Sequence, residues 1–156
     1  ALCLYIDTWR WSGVPFCIRA GKCLPITTTE VRVNMKCPPL AIFDEISAAN
    51  SNYFRFRLSP EGTISAGARV KQHGEQMRGE PVELIARHEA RSEQLPYERL
   101  LHDALRGDSS LFTRDDSVEA AWKVIDPVHA NAAPVQEYEP GSWGPAAAGK
   151  LIMLLQ

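Results

Sequence analysis

The sequence predicts an α+β fold: a large, mainly antiparallel sheet with helices packed on one face. The first observation is that six segments with strand-like sequence, most of them alternating, lie within roughly the first 90 residues. The second is that segments with helical periodicity follow them. Strands followed by helices favour this architecture over a doubly wound α/β fold, in which the two would alternate.

Three strands are predicted before the first strong break in the pattern. They are Leu2–Ile6, Val14–Arg19 and Val31–Lys36. The third alternates apolar and polar residues at every step, which is typical of a strand with one covered face. Pro38 and Pro39 then end the strand pattern, because proline lacks the backbone donor that a strand interior needs.

Three further strands are predicted in the middle of the chain: Tyr53–Leu58, Thr63–Val70 and Pro81–Glu89. In the first of these, Phe54 and Phe56 alternate with Arg55 and Arg57. Such one-sided alternation is typical of an antiparallel sheet with one covered face and one wetter face.

Two helices are predicted after residue 95. The first carries an apolar stripe at helical spacing between Pro96 and Gly107, made of Tyr97, Leu100, Leu101, Ala104 and Leu105. The second begins near Asp116 as N-cap, with Glu119 three residues on, and ends before Pro127. Trp122 lies on its apolar stripe and is expected in the core. The tail from Asn131 to Pro145 is expected to be irregular.

Length and charge restrict the class of protein. The chain has 156 residues, which predicts one domain, residues 1–156, able to bury a hydrophobic core. Its formal net charge is −2 with acidic and basic residues mixed, so neither a nucleic acid nor a membrane is expected as a partner. Because Ala1 already lies in strand-like sequence, the chain is interpreted as a fragment of a longer protein.

Four cysteines, Cys3, Cys17, Cys23 and Cys37, form no C-x-x-C pair and have no histidine at zinc-finger spacing. We therefore expect no metal site, and reduced thiols in a cytoplasmic protein. No G-x-G-x-x-G follows a predicted strand, so the chain is not expected to bind a dinucleotide in the Rossmann manner.

Gly21 and Lys22 follow the end of the second predicted strand. Glycine permits close approach of the backbone to a ligand, and a lysine ammonium is a compact charge suited to phosphate. Taken alone, this pair is weak evidence for a phosphate site, because a solvated surface lysine is the more common case.

Four stretches, in order, resemble the glucose-6-phosphate dehydrogenase family. The first is Asp-Thr-Trp-Arg-Trp-x-Gly-Val-Pro-Phe at 7–16, followed by Arg-x-Gly-Lys at 19–22. Next come Tyr-Glu-Arg-Leu-Leu at 97–101 with Asp103 and Gly-Asp at 107–108, then Leu-Phe-Thr-Arg at 111–114 with Glu-Ala-Ala-Trp at 119–122. The last is Gly-Ser-Trp-Gly-Pro at 141–145. The resemblance spans almost the whole chain.

The resemblance implies the C-terminal, substrate-contacting and dimerisation part of a cytoplasmic enzyme. Such enzymes oxidise glucose 6-phosphate to 6-phosphogluconolactone with NADP, the first step of the pentose phosphate pathway. The catalytic histidine and the NADP-binding Rossmann domain belong to the N-terminal portion, so no catalytic residue is expected here and the fragment alone is expected to be inactive. The alternative is a non-catalytic dimerisation or regulatory homologue. A homo-oligomer, a dimer or tetramer, is expected in either case.

The resemblance also implies specific site residues. Lys22 matches the family's Gly-Lys lysine, which contacts the sugar phosphate. Thr27 stands where the family usually has a second Lys or Arg, and its hydroxyl can donate to phosphate without supplying charge. Animal members bind a structural NADP through basic positions that match Arg19, Arg32 and Arg57. Because Thr28 and Trp143 replace two further cations of that site, no structural NADP is expected.

Overall fold

The computed structural model describes residues 1–40, 42–43, 51–74, 76–87, 95–130 and 133–153. Its strands are β1 (Leu2–Tyr5), β2 (Pro15–Ile18), β3 (Thr29–Asn34), β4 (Tyr53–Ser59), β5 (Thr63–Lys71) and β6 (Gly79–Arg87). Its helices are α1 (Pro96–Arg106), α2 (Asp115–Ala130) and α3 (Ala146–Met153). All strand pairs are antiparallel, which confirms the α+β class.

The chain divides into two units, 1–89 together with 137–156, and 90–136. The first contains both sheets and α3, and the second contains α1 and α2. Within the first unit, β1 and β2 form a two-stranded sheet and α3 packs against β1. The packing of helices on one face of the larger sheet stays a prediction.

The larger sheet has the strand order β3-β4-β5-β6. Its register sets Val31 opposite Phe56, Phe56 opposite Ile64, and Ile64 opposite Ala86. The neighbouring row joins Val33, Phe54, Ala66 and Leu84 in the same way. Because side chains alternate between the faces of a strand, one continuous apolar face crosses all four strands.

This apolar face is open to solvent. Phe54, Phe56 and Ile64 are exposed, and Leu84 is 77% exposed. Among the described residues no hydrophobic side chain is buried, and the residues that are buried are Ser65 and Gly67. The expected hydrophobic core is therefore absent from the described part of the chain. The physical reason is that a sheet buries its apolar face only against a second layer of structure.

The opposite face of the sheet is organised around Tyr53. Its ring lies against Gly67, the cross-strand partner, and its hydroxyl donates a hydrogen bond to Glu83 Oε1 at 2.9 Å. The Arg32 guanidinium lies 4.1 Å from the ring centroid and that of Arg55 lies 5.1 Å from it. Arg55 also pairs with Glu83 at 3.6 Å. Cation–π contacts and hydrogen bonds thus keep the arginine side of β4 partly covered.

Helix α1 agrees closely with its sequence pattern. Pro96 is in its first turn, and Gly107 ends it with φ 71°. The Gly107 amide donates to Ala104 and the Asp108 amide donates to Asp103, which is a Schellman motif. The expected apolar stripe exists as sequence, but Tyr97, Leu101 and Leu105 are exposed.

Helix α2 corrects three expectations. It begins at Asp115, and Asp116 lies in its first turn instead of at the N-cap. There the Arg114 guanidinium donates to both carboxylate oxygens of Asp116, at 3.0 and 2.6 Å, and this pairing lowers the pKa of the carboxyl group. The helix also continues through Pro127, which removes one backbone donor from the ladder. Trp122 is 60% exposed, so it is not a core residue of the described structure.

The other boundaries follow the sequence to within about two residues, the usual uncertainty of helix and strand ends. The last two residues of the sixth predicted strand, 88–89, and the first two of the predicted irregular tail, 131–132, lie outside the described residues. Residues 133–145 contain no helix or strand, as expected. Helix α3 was not predicted. Across the described ranges no helix is long and apolar enough to cross a bilayer.

We expect Gly67→Ala to destabilise the protein by about 1–3 kcal/mol, as overpacking does. A methyl group at Gly67 would overlap the Tyr53 ring, which would have to leave Glu83 and both arginines. The measurement is the denaturant midpoint of the full-length protein. Gly62→Ala is the matched control, since nothing lies within 4 Å of a methyl group there. Equal midpoints for the two variants would contradict this packing.

Candidate functional site

Lys22 lies on the connection between β2 and β3, three residues after Arg19. The residue is exposed. Among the described residues, no carboxylate lies within ion-pair distance of its ammonium. A cation in this state is available to an anionic ligand.

The backbone around Lys22 is held by the C-terminal tail. The Tyr138 hydroxyl donates a 2.7 Å hydrogen bond to the Lys22 carbonyl. The Gly141 amide donates a 2.8 Å hydrogen bond to the Cys23 carbonyl. Cys23 itself has φ 53°, the left-handed conformation that a non-glycine residue adopts only at a cost. These two bonds, which we call the tail clasp, hold the peptide groups on both sides of this turn.

Gly21 contributes by leaving room. A methyl group at this position would come within 3.3 Å of the Tyr138 hydroxyl oxygen and 3.6 Å of Leu24. The missing side chain therefore admits Tyr138, the donor of the tail clasp. The approach of a ligand to Gly21, expected from the sequence, stays a prediction.

Arg19 joins the same tail from the end of β2. Its guanidinium lies 5.7 Å from the Trp143 ring centroid, and its Nη2 reaches the Ala148 carbonyl at 3.5 Å. Trp143 is the residue that replaces a cation of the family's structural NADP site. The Trp143 ring instead makes a cation–π contact with the Arg19 guanidinium.

Thr27 is exposed on the same connection, and no hydrogen bond of its hydroxyl occurs within the described ranges. Its neighbour Thr28 is different, because its hydroxyl donates to the Ser59 carbonyl at 2.8 Å. Thr28 thereby anchors the entrance to β3 on the end of β4. Thr27 lies five residues after Lys22, with no hydrogen-bond partner for its hydroxyl in the part of the chain that the structure describes.

The turn between β1 and β2 carries the tryptophans of the first motif. Backbone hydrogen bonds from Thr8 to Ile6, from Trp11 to Thr8 and from Val14 to Trp11 close it tightly. Trp11 packs edge-on against Phe16, with ring centroids 5.3 Å apart. Trp9 is 89% exposed, and the Arg10 guanidinium lies 5.8 Å from its ring.

The arginines at the structural NADP positions of the family are engaged within the chain. Arg57 pairs with Glu30 at 3.4 Å, and Arg32 donates to Asn34 Oδ1 at 2.9 Å while covering Tyr53. Arg19 is held by Trp143 and the Ala148 carbonyl. A nearby concavity of about 270 Å³ is lined in part by Arg32, but by neither Lys22 nor Thr27. Each of these three arginines thus has a partner within the chain, and the expectation that no structural NADP binds stays a prediction.

Tyr138 and Gly141 were not assigned a role from the sequence. The Tyr138 hydroxyl and the Lys22 carbonyl are separated by 116 positions, so no local spacing could indicate their contact. The Gly-Ser-Trp-Gly-Pro motif at 141–145 was recognised, and its first glycine supplies part of the tail clasp. In the part of the chain that the structure describes, no group of three His, Cys, Asp or Glu residues could hold a metal ion.

Comparison with known proteins shows which family the chain matches. Residues 1–154 match the family described as glucose-6-phosphate dehydrogenase, C-terminal domain. The chain is 42% identical over 162 residues to the glucose-6-phosphate 1-dehydrogenase of Treponema pallidum, covering 97% of the chain and 32% of that protein. It is 39% identical to the enzyme of Aggregatibacter actinomycetemcomitans over 158 residues, with the same coverage. The chain thus spans about a third of the length of these relatives.

Solved structures agree with the sequence comparisons. The crystal structure of glucose-6-phosphate 1-dehydrogenase from Mycobacterium avium superposes with a TM-score of 0.81 at 34% identity, covering 97% of this chain and 32% of that one. A glucose-6-phosphate dehydrogenase in complex with its substrate glucose 6-phosphate superposes with a TM-score of 0.75 at 28% identity, covering 98% and 33%. The described fold is that of the corresponding third of these proteins.

Loss of the tail clasp should loosen the Lys22 segment. Tyr138→Phe removes the hydroxyl that donates to the Lys22 carbonyl, and we expect the Gly141 amide to exchange with solvent roughly 2- to 12-fold faster. Hydrogen exchange of the full-length protein, resolved by peptide, measures this. Tyr5→Phe is the matched control, because Tyr5 is exposed and its hydroxyl makes no hydrogen bond within the described residues. Identical exchange in both variants would refute the clasp.

Proposed function

The chain belongs to the glucose-6-phosphate dehydrogenase C-terminal domain family, and we propose that it is the substrate-contacting and dimerisation part of such an enzyme. The full-length protein then oxidises glucose 6-phosphate to 6-phosphogluconolactone in the cytoplasm. NADP is the hydride acceptor of that reaction. The dinucleotide fingerprint and the catalytic base lie in the portion of the enzyme outside this chain.

Within that reaction, the part of Lys22 is to bind the phosphate group of the sugar. The observation that carries this role is an exposed ammonium, without a carboxylate partner in the described structure, on a backbone fixed by the tail clasp. A phosphate dianion carries the negative charge that pairs with a lysine ammonium. Fixing the peptide in advance lowers the entropy lost when the ligand binds.

Thr27 is the second phosphate contact in this proposal. A hydroxyl donates one hydrogen bond to a phosphate oxygen but adds no charge. The exposed and unengaged Thr27 side chain is compatible with that role. The free energy from phosphate binding therefore comes mainly from Lys22, since charge-assisted contacts are about twice as strong as neutral ones.

Self-association through the arginine face of the larger sheet is the second part of the proposal. The apolar face needs a second layer, and the portion of the enzyme outside this chain is about twice as long as the chain itself. The opposite face carries Tyr53, Arg32 and Arg55 with Glu83, a mixture of aromatic and arginine side chains typical of interfaces between subunits. We assign this face to a second copy of the enzyme.

Replacement of Lys22 should affect the phosphorylated substrate selectively. In the full-length enzyme we expect Lys22→Ala to lower kcat/KM for glucose 6-phosphate by about 5- to 150-fold, the loss typical of a charge-assisted contact. Most of the loss should appear in KM, and the KM for the nucleotide should barely change. Thr27→Lys should act in the opposite direction, because it adds a second cation.

Steady-state kinetics with glucose as an alternative substrate separate this role from a structural one. Because glucose lacks the phosphate, the effect of Lys22→Ala should largely vanish with it. Lys36→Ala, which removes another exposed lysine, is the matched control. Equal losses on glucose and glucose 6-phosphate would overturn the phosphate role, and Lys22 would then be a solvated lysine.

For the oligomer, we expect the full-length enzyme to sediment as a dimer or larger species at micromolar concentration. Arg32→Glu replaces a cation of the arginine face with a carboxylate and should raise the dissociation constant at least about tenfold, since reversing a charge within a complementary interface costs several kcal/mol. Arg10→Glu makes the same charge change in the exposed turn between β1 and β2 and should have no effect. A strictly monomeric enzyme would exclude the proposal.

A further inference from the structure

Two cysteines face each other across the small sheet. β1 and β2 pair with Leu2 opposite Ile18, Cys3 opposite Cys17, Leu4 opposite Phe16 and Tyr5 opposite Pro15. Cys3 and Cys17 are therefore direct cross-strand partners. Both are free thiols, Cys3 half-buried and Cys17 exposed.

The kind of pair that they form follows from Pro15. Residues opposite each other in an antiparallel ladder alternate between hydrogen-bonded and non-hydrogen-bonded pairs. Proline has no amide hydrogen, so Tyr5 and Pro15 cannot exchange both backbone bonds and must be a non-hydrogen-bonded pair. Cys3 and Cys17 lie two residues further along each strand and belong to the same class.

Non-hydrogen-bonded pairs bring their Cα atoms to about 4.5 Å, with the side chains close together. A disulfide requires a Cα separation of about 4.4–6.8 Å. The two cysteines thus need no movement of the strands to become joined.

The thiols also influence each other. The pKa of the Cys17 thiol is raised to about 11, although the residue as a whole is exposed. The largest cause is loss of solvent around its sulfur, and hydrogen bonding to Cys3 and charge repulsion from Cys3 raise the pKa further. This mutual influence agrees with the strand register, which sets the two residues opposite each other. Cys23 and Cys37 have no cysteine opposite them in any described strand pair.

We propose that Cys3 and Cys17 are a reversible thiol–disulfide site that takes a low-molecular-weight disulfide, such as glutathione disulfide, as its oxidant. One cysteine thiolate attacks a sulfur of glutathione disulfide, which forms a mixed disulfide and releases one glutathione. The second cysteine then attacks the protein sulfur of that mixed disulfide and releases the other glutathione. Two protein thiols are oxidised, one glutathione disulfide is reduced, and the two thiol protons end on two glutathione molecules.

The bond would join β1 to β2 directly before the segment that carries Arg19 and Lys22. It would close the turn between β1 and β2, which carries Trp9 and Trp11, into a covalent ring without changing the register of the strands. Since the test detects the covalent bond itself, it is independent of the role proposed for Lys22.

The experiment uses the full-length protein, reduced and then equilibrated in buffers of increasing glutathione disulfide to glutathione ratio. Free thiols are blocked by alkylation, and digested peptides are analysed by mass spectrometry. We expect a Cys3–Cys17 linked peptide, lacking two hydrogen atoms, to become the major form of these peptides, and dithiothreitol to remove it. The link should survive in Cys23→Ser and in Cys37→Ser.

Two substitutions make the outcome decisive. In Cys17→Ser, Cys3 should be found as a glutathione mixed disulfide or as a free thiol, and Cys3→Ser should leave Cys17 in the same state. Circular dichroism of both variants, set beside the Cys23→Ser control, monitors their folding. Failure of the wild-type protein to form the link in glutathione disulfide alone would overturn the proposal. Equally frequent links from Cys3 to Cys23 or Cys37 would overturn it as well.

Discussion

The register of the four-stranded sheet is the constraint on which the rest of the described structure depends. Side chains alternate along β4, so Phe54 and Phe56 lie on one face and Arg55 and Arg57 on the other. The cross-strand partners repeat that division in β3, β5 and β6. A slip of one residue in β4 would turn Phe54 and Phe56 to the arginine face and Arg55 and Arg57 to the apolar face. Tyr53 on Gly67 opposes such a slip, because the ring fits only where its partner has no side chain.

The division between the two faces also explains why so little of the chain is buried. Polar side chains can satisfy one another within a single layer, as Arg55, Tyr53 and Glu83 do. Apolar side chains cannot, since their burial requires another element stacked on them. The face of β3–β6 and, in the other unit, the stripe of α1 are accordingly two apolar surfaces that stay exposed in the described structure. The relatives, of which the chain spans about a third, have the additional length to cover them.

The features that could be predicted from the sequence are those with a local cause. Alternation in 53–58 and the helical stripe between Pro96 and Gly107 depend on neighbouring residues, and both elements lie where they were expected. Trp122 was misjudged because periodicity shows which side of a helix is apolar but not what covers it. The end of α2 was misjudged because proline was treated as a stop, although it removes only one donor. α3 was missed because its Ala- and Gly-rich sequence has no pronounced apolar stripe.

Within the candidate site, the Gly-Lys motif was enough to indicate Lys22 as a candidate residue. No local motif could indicate the backbone hydrogen bonds of the tail clasp that hold it. Lys22 leaves the ribosome 116 positions before Tyr138, whose hydroxyl holds the Lys22 carbonyl. Domains form in the order in which they are made, N-terminal first. The small sheet and the four-stranded sheet can therefore assemble on the nascent chain while the lysine segment still lacks both of its backbone donors. Maturation of this site is tied to translation of the segment that carries Tyr138 and Gly141, so a chain released before that segment would carry its sheets but an unanchored lysine.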